Sequence, residues 1–186
     1  SASTIDRRLA GTRNAARGGK RARAATPRVR RQVPVKTFAD WKEPESGFME
    51  ADLVAHCGDT IAGSFAYTLT LTDVASGWTE CAALVVRDGS LIVEALERLQ
   101  TTMPFPLRGL DTDNGSEFVN EAVLAYCSSH NIEFTRSRPY HKNDQAWVEQ
   151  KNGSVVRRLV GYGRLEGMAS ATALSRLYAA SRLFVN

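Results

Sequence analysis

Three acids, Asp52, Asp113 and Glu149, are the residues of this 186-residue chain whose types and surroundings point most directly to chemistry. Asp52 interrupts the apolar run "MEADLVA", in phase with Glu50 and Val54. Asp113 closes "LRGLDTD", and Glu149 stands one turn into "AWVEQKNGSVVRRLVGY". On a helix, Glu149 lies about 100° from the centre of the stripe formed by Val148, Val155 and Leu159, at its margin and not on the far side. Brought together, three carboxylates would repel and would be costly to bury without a counter-charge. Divalent cations remove that cost. Mg²⁺ is a hard ion that takes carboxylate, phosphate and water oxygens. Two such ions about 3.5–4 Å apart stabilise the attacking and leaving oxygens of an in-line displacement at phosphorus. Taken singly, each acid has an ordinary explanation: an edge or turn residue in a strand, a turn at Asp113-Asn114-Gly115, a complement to the helix dipole at Glu149. Asp111 shares the face of Asp113 if the strand stays regular, and the strand period does not separate the two. Glu117 fits the first turn of the following helix.

The elements that must position these acids follow from periodicity. Strands are expected over 48–57, 64–76, 78–86, 107–113 and 132–138. Helices are expected over 90–103, 116–131 with Ser116 as its cap, 146–162 and 170–186. Residues 138–145 read as a polar loop. The order β-β-β-α-β-α-β-α-α implies an α/β domain, a mixed sheet with helices packed against it. No phosphate-cradling glycine loop of either nucleotide-binding type occurs.

Charge is distributed unevenly along the chain. Residues 1–46 hold 12 Lys/Arg against 4 Asp/Glu, residues 47–135 hold 3 against 13, and residues 136–186 hold 9 against 3. Cationic ends around an acidic centre suit a polyanion lying beside a cation-binding site, although solubilising tails and solvated helix faces produce the same pattern. Residues 11–36 are rich in Arg, Ala and Gly, a composition without the large apolar residues that build a core. Cys57, Cys81 and Cys127 are odd in number and form no C-x-x-C pair, which argues against a disulfide framework or zinc site and fits a reducing compartment. No apolar run reaches the length of a membrane span, and no signal-peptide pattern opens the chain. The final residues read as a helix still running, as in a fragment of a longer protein.

Spacing sharpens the reading of the acids. Sixty residues separate Asp52 from Asp113, and 35 separate Asp113 from Glu149. With "ADLVAHCG", "TDNGSEF", "SRPYHKND" and "VEQKNGSVVRRLVGY" around them, this resembles the D,D-35-E catalytic core of the retroviral-integrase superfamily, closest to its insertion-sequence transposases, from about residue 48 to 162. The resemblance implies an RNase H-like, mixed five-stranded sheet flanked by helices over 47–186. A basic arm over 11–46 would precede it, and residues 1–10 would be the remnant of a helix-turn-helix DNA-binding domain. It implies Asp52, Asp113 and Glu149 as catalytic residues and ligands of two Mg²⁺ or Mn²⁺ ions. One ion would activate a water that hydrolyses the phosphodiester at the element end, and the 3′-OH left behind would attack target DNA. Element-end and target DNA are the implied partners, with homo-oligomers as the active form and a cytoplasmic, nucleoid-associated setting.

Asn114 and Gln145 take polar positions beside the implied site. Lys142, Asn143, Lys151, Arg157 and Arg158 are candidate DNA contacts, with solvated helix charges as the plain alternative. Gly153 and Val156 stand where retroviral relatives carry lysines. Trp147 stands where relatives carry a small or histidine-type residue, and either packs against the loop or stacks on a base. Two other readings stay open: a ribonuclease H-type nuclease, with Glu94 or Glu97 supplying a further carboxylate, and a non-catalytic DNA-binding remnant of a transposase.

Overall fold

A computed structural model describes residues 27–36, 40, 45–139 and 141–186, without the side chains of Pro27 and Lys142. The expected remnant at 1–10 and the arm as far as residue 26 lie outside the described residues.

Five strands form one sheet: β1 (Phe48–Ala55), β2 (Tyr67–Asp73), β3 (Thr79–Leu84), β4 (Gly109–Thr112) and β5 (Glu133–Arg136). Their order is β3-β2-β1-β4-β5. The β1–β2 and β2–β3 pairs are antiparallel, and β1–β4 and β4–β5 are parallel. Antiparallel neighbours need only short turns. The parallel pairs need crossovers, supplied by α2 (Gly89–Gln100) and α3 (Glu121–Ser129). In α2, Ile92, Ala95, Leu96 and Leu99 are buried, an i, i+3, i+4, i+7 stripe. They join Met49, Ala51, Leu69, Leu71 and Leu110 in the main apolar core. Asp88 caps α2 through the Ser90 N–H. Asn120, not Ser116, caps α3, accepting from the Val123 N–H at 3.0 Å. Residues 116–118 form a turn instead, so the helix starts later than its apolar pattern suggests.

The opposite sheet face is polar. Residues directly paired across strands share a face, so the register sets Thr72, Glu50, Asp111 and Thr135 in one row, all buried. Val54 and Thr68 pair two steps beyond Asp52 and Thr70 on the same face. Four helical pieces run on from the loop after β5. A 3₁₀ turn (Lys142–Gln145) leads into α4 (Ala146–Lys151), a π-helical segment (Asn152–Arg157) and a last turn, α5 (Arg158–Val160). The long α6 (Gly167–Val185) closes the chain. It is tied to the polar face by Tyr178 Oη, 2.6 Å from Thr68 Oγ1, which in turn lies 2.7 Å from His56 Nε2.

Ahead of the sheet, α1 (Pro27–Gln32) buries Val29 in the main core, and Val33 just after it is buried there as well. The end of the Arg-rich stretch therefore does contribute to the interior, through two valines that its overall composition hides.

Candidate active site

The three spaced acids face one open cleft of about 600 Å³, lined also by Arg30, Asn114, Arg136, Arg138, His141 and Gln145. Asp52 projects from the polar face of β1, in the middle of the strand. The parallel register pairs Ala51 with Thr112, so the next step along both strands brings Asp113 beside Asp52. Asp111 is two residues back, paired with Glu50 and 4% exposed. The strand end thus resolves what periodicity could not: Asp113 meets the cleft and Asp111 lies beneath it. Asp113 Oδ1 accepts from the Gly115 N–H at 2.8 Å. A Cβ added at Gly115 would sit 2.8 Å from the same oxygen, so a side chain there would push the Asp113 carboxylate aside.

Glu149 is exposed on α4, at the margin of a stripe whose Val148 is fully buried. Beyond it the π-helical turn widens the helix, and π-bulges recur at functional sites. The segment buries both Val155 and Val156 and sends Asn152 Nδ2 to Asp52 Oδ2 at 2.7 Å. Asn152 Oδ1 is buried without a hydrogen-bond partner among the described residues. Asn152 was not singled out from the sequence. Its place three residues after Glu149, on the same helical face, was the available signal.

Electrostatics separate these groups. Burial, and then the charges of Asp113 and Glu149, raise the Asp52 carboxyl above the usual carboxylate range, against hydrogen bonds from Leu53 and Asn152. Glu50, 2% exposed, accepts from the Val148 N–H at 2.9 Å at the start of α4, and the Trp147 N–H also reaches it. Burial nevertheless pushes Glu50 to about 7, with the Asp111 and Glu149 charges adding to the rise. Burial lifts Asp111 to about 7 as well, although Thr135 Oγ1 donates to it at 2.6 Å and Gln145 also bonds it. Asp144 is the opposite case: a bidentate pair with Arg138, both contacts 2.8 Å, brings it down to about 2.

The structure therefore brings together Asp52, Asp113, Glu149, Asn114 and Gln145. Gln145 is nearly buried, with Nε2 3.4 Å from the Ala51 carbonyl. Asn114 donates to the Ser137 carbonyl at 2.9 Å and accepts from Arg136 Nη1 at 2.6 Å. Asn143, Lys151, Arg157 and Arg158 do not line the cleft. Asn143 is exposed on the 3₁₀ turn, Arg158 is exposed and Lys151 is half-buried. Arg157 is turned inward: it donates to the Ala55 carbonyl at 3.0 Å and stacks on Tyr162 at 4.9 Å. Lys142 begins the 3₁₀ turn, and its side chain lies outside the described residues. Trp147 is partly exposed at 37%. Glu94 and Glu97 are exposed on α2 and do not line the cleft.

The donor set, three carboxylates around one cleft with the half-buried Asp52 raised partly by the other two, is the kind that hard divalent cations stabilise. Among the described residues, no group of three or more such side chains already stands at metal-binding distances.

Residues 45–142 match the integrase core domain family. The chain belongs to that family. The matched segment contains Asp52 and Asp113 and ends before Glu149. Over its whole length this integrase core is 54% identical to the uncharacterized protein y4rM of Sinorhizobium fredii (strain NBRC 101917 / NGR234), and it spans 53% of that relative. It is 27% identical over 95 residues to the Pro-Pol polyprotein of feline foamy virus, covering 51% of this chain and 8% of the polyprotein. Its fold is similar to the catalytic core domain of BIV integrase, with a TM-score of 0.51 at 19% identity over 63% of this chain and 72% of that one. At that identity the likeness carries the fold alone: the RNase H-like mixed sheet of integrase cores. No helix among the described residues is long and apolar enough to cross a membrane.

Proposed function

We propose that this integrase core is the catalytic unit of a DNA transposase or integrase that cuts DNA at an element's ends and joins the freed 3′ ends to target DNA. The observation that carries the reading is the convergence of Asp52, Asp113 and Glu149 on one cleft in a chain of this family. Glu149 lies beyond the matched segment and still reaches the cleft. Asp52, Asp113 and Glu149 would hold two Mg²⁺ or Mn²⁺ ions, which when bound supply charge neutralisation to the phosphorus centre.

The chain's own residues position and exclude. Asn152 orients the Asp52 carboxylate, and Glu50 anchors the first turn of the helix bearing Glu149 to β1. Arg136 and the Ser137 carbonyl hold Asn114 beside Asp113. Gln145 closes the floor between β1 and β4. Little covalent chemistry is asked of the protein, because fixed geometry and pre-aimed charge carry most of a phosphoryl-transfer rate. The active form is proposed to be a homo-oligomer.

The test is Glu149→Gln in a strand-transfer assay with Mn²⁺. The expected result is a loss of about 10²–10³-fold with DNA affinity unchanged or raised, since phosphate repulsion falls. Activity near wild type removes Glu149 from the site. The position of Glu94 and Glu97 away from the cleft counts against the ribonuclease H-type alternative. Retention of all three acids counts against a non-catalytic remnant.

A further inference from the structure

The acid-lined cleft has a second wall, and that wall is cationic. Part of it comes from chain that precedes the matched segment. Val29 and Val33, 2% and 1% exposed, seat α1 in the main core. Residues 34–36 then run along β5: the Arg136 N–H donates to the Pro34 carbonyl at 3.0 Å and the Lys36 N–H to the Arg136 carbonyl at 3.1 Å. Lys36 also pairs with Glu133. The helix is thus anchored on two sides, and Arg30, exposed between the two valines, is carried to the cleft.

Arg30 Nη2 donates to the Asn114 carbonyl at 3.2 Å, while Arg136 Nη1 donates to Asn114 Oδ1 at 2.6 Å. Two guanidiniums therefore converge on the residue that follows Asp113. Arg138, on the same wall, is engaged by Asp144. No carboxylate forms an ion pair with Arg30 or Arg136 among the described residues. A guanidinium presents five donors in a planar fork suited to phosphate oxygens, and one contact of Arg30 to a carbonyl uses only part of that fork.

We propose that Arg30 and Arg136 form a phosphate-binding edge of the cleft, which takes one backbone phosphate of the DNA next to the three acids. Arg30 is on this account a DNA-binding residue supplied from outside the integrase core match. The proposal rests on the DNA reading above. It adds that the cleft sorts its ligand by charge: cations toward Asp52, Asp113 and Glu149, phosphate toward α1 and β5. Such contacts set register and affinity without reading sequence.

The experiment is fluorescence anisotropy of the whole chain with a labelled DNA duplex, in EDTA, across a salt series, for wild type, Arg30→Ala and Arg30→Lys. Thermal melts are run on the same samples. Arg30→Ala is expected to weaken binding about three- to tenfold and to reduce the slope of log affinity against log salt by about one. Its melting temperature should stay at the wild-type value, because Val29 and Val33 remain as anchors. Arg30→Lys keeps the charge and should restore the slope, with only part of the affinity. An unchanged slope in Arg30→Ala, with or without a lowered melting temperature, means that Arg30 merely clips α1 to Asn114 and overturns the proposal while leaving the DNA reading in place. Failure of the wild type to bind duplex DNA at all sinks both.

Discussion

Buried carboxylates occur at two places in this sheet and are treated in opposite ways. Near β3, Glu80 accepts from Arg182 Nε at 2.7 Å and from Trp78 Nε1 at 2.8 Å, and Arg182 also lies over the Trp78 ring at 5.3 Å. At the end of β2, Asp73 accepts from the Gly47 and Ser76 N–H groups and the Ser76 hydroxyl, at 2.6–2.8 Å. Both acids there have two or more donors, and Glu80 has a cation. Around β1 and β4, Glu50, Asp52 and Asp111 receive neutral donors only, and burial pushes all three upward. No Lys or Arg forms an ion pair with Asp52, Asp113 or Glu149 among the described residues. At Glu80 the fold supplies a cation to a buried acid. Where it leaves the charge uncompensated beside an open cleft, the compensation has to come from outside, which is the pattern of a functional site.

That contrast can be broken by substitution. The largest effect is expected at Asp113: Asp113→Asn should lower Mn²⁺-supported strand transfer about a thousandfold, as measured by gel assay, with little change in urea stability. Arg182→Ala should do the reverse. It strands Glu80 in the interior and should lower unfolding free energy by about 3 kcal/mol in a urea titration, without altering Mn²⁺ binding.

A smaller effect with a diagnostic sign comes from Asp52→Asn. Without added metal it removes a buried, mutually repelled charge and should stabilise the fold by about 1 kcal/mol at neutral pH. A destabilisation of that size would place Asp52 with the architectural acids. The last effect is on pH dependence. Glu50 and Asp111 titrate near 7 when folded, against ordinary values of 4.5 and 3.8. Between those limits the folded chain holds protons that the unfolded chain has lost. Their contribution to stability is therefore complete at the acidic end and fades as pH rises toward 7. Glu50→Gln and Asp111→Asn keep an acceptor oxygen and lose the titration, so melts between pH 4 and 7 should flatten in both variants.

The sheet was legible because its signals are local, while the three acids of the cleft were singled out by their spacing's resemblance to a known family. Strand alternation, a helix stripe and spaced acidic motifs survive in the bare sequence, and the mixed sheet followed from three strands preceding the alternation. What escaped depends on tertiary placement. Glu50 was visibly in phase with Asp52, but nothing in "MEADLVA" shows that it anchors the helix bearing Glu149 through the Val148 N–H. The π turn after Lys151 breaks the 3.6-residue period on which face assignments rest and adds Val156 to the buried stripe, just beyond the Asn152 that reaches Asp52. Arg157 looked like a surface cation and is instead satisfied by the Ala55 carbonyl. Val29 and Val33 are two residues in an arginine-rich stretch, too sparse for any window of composition to weigh, yet they bring Arg30 to the cleft.

The most direct test of the central claim is calorimetric titration of Mn²⁺ into the wild-type chain and into Asp52→Asn. Three carboxylates sharing a cation-binding cleft predict saturable Mn²⁺ binding in the wild type and a loss of about tenfold or more in affinity when Asp52 is neutralised. Identical isotherms for the two proteins, or no binding by a folded wild type, would contradict it.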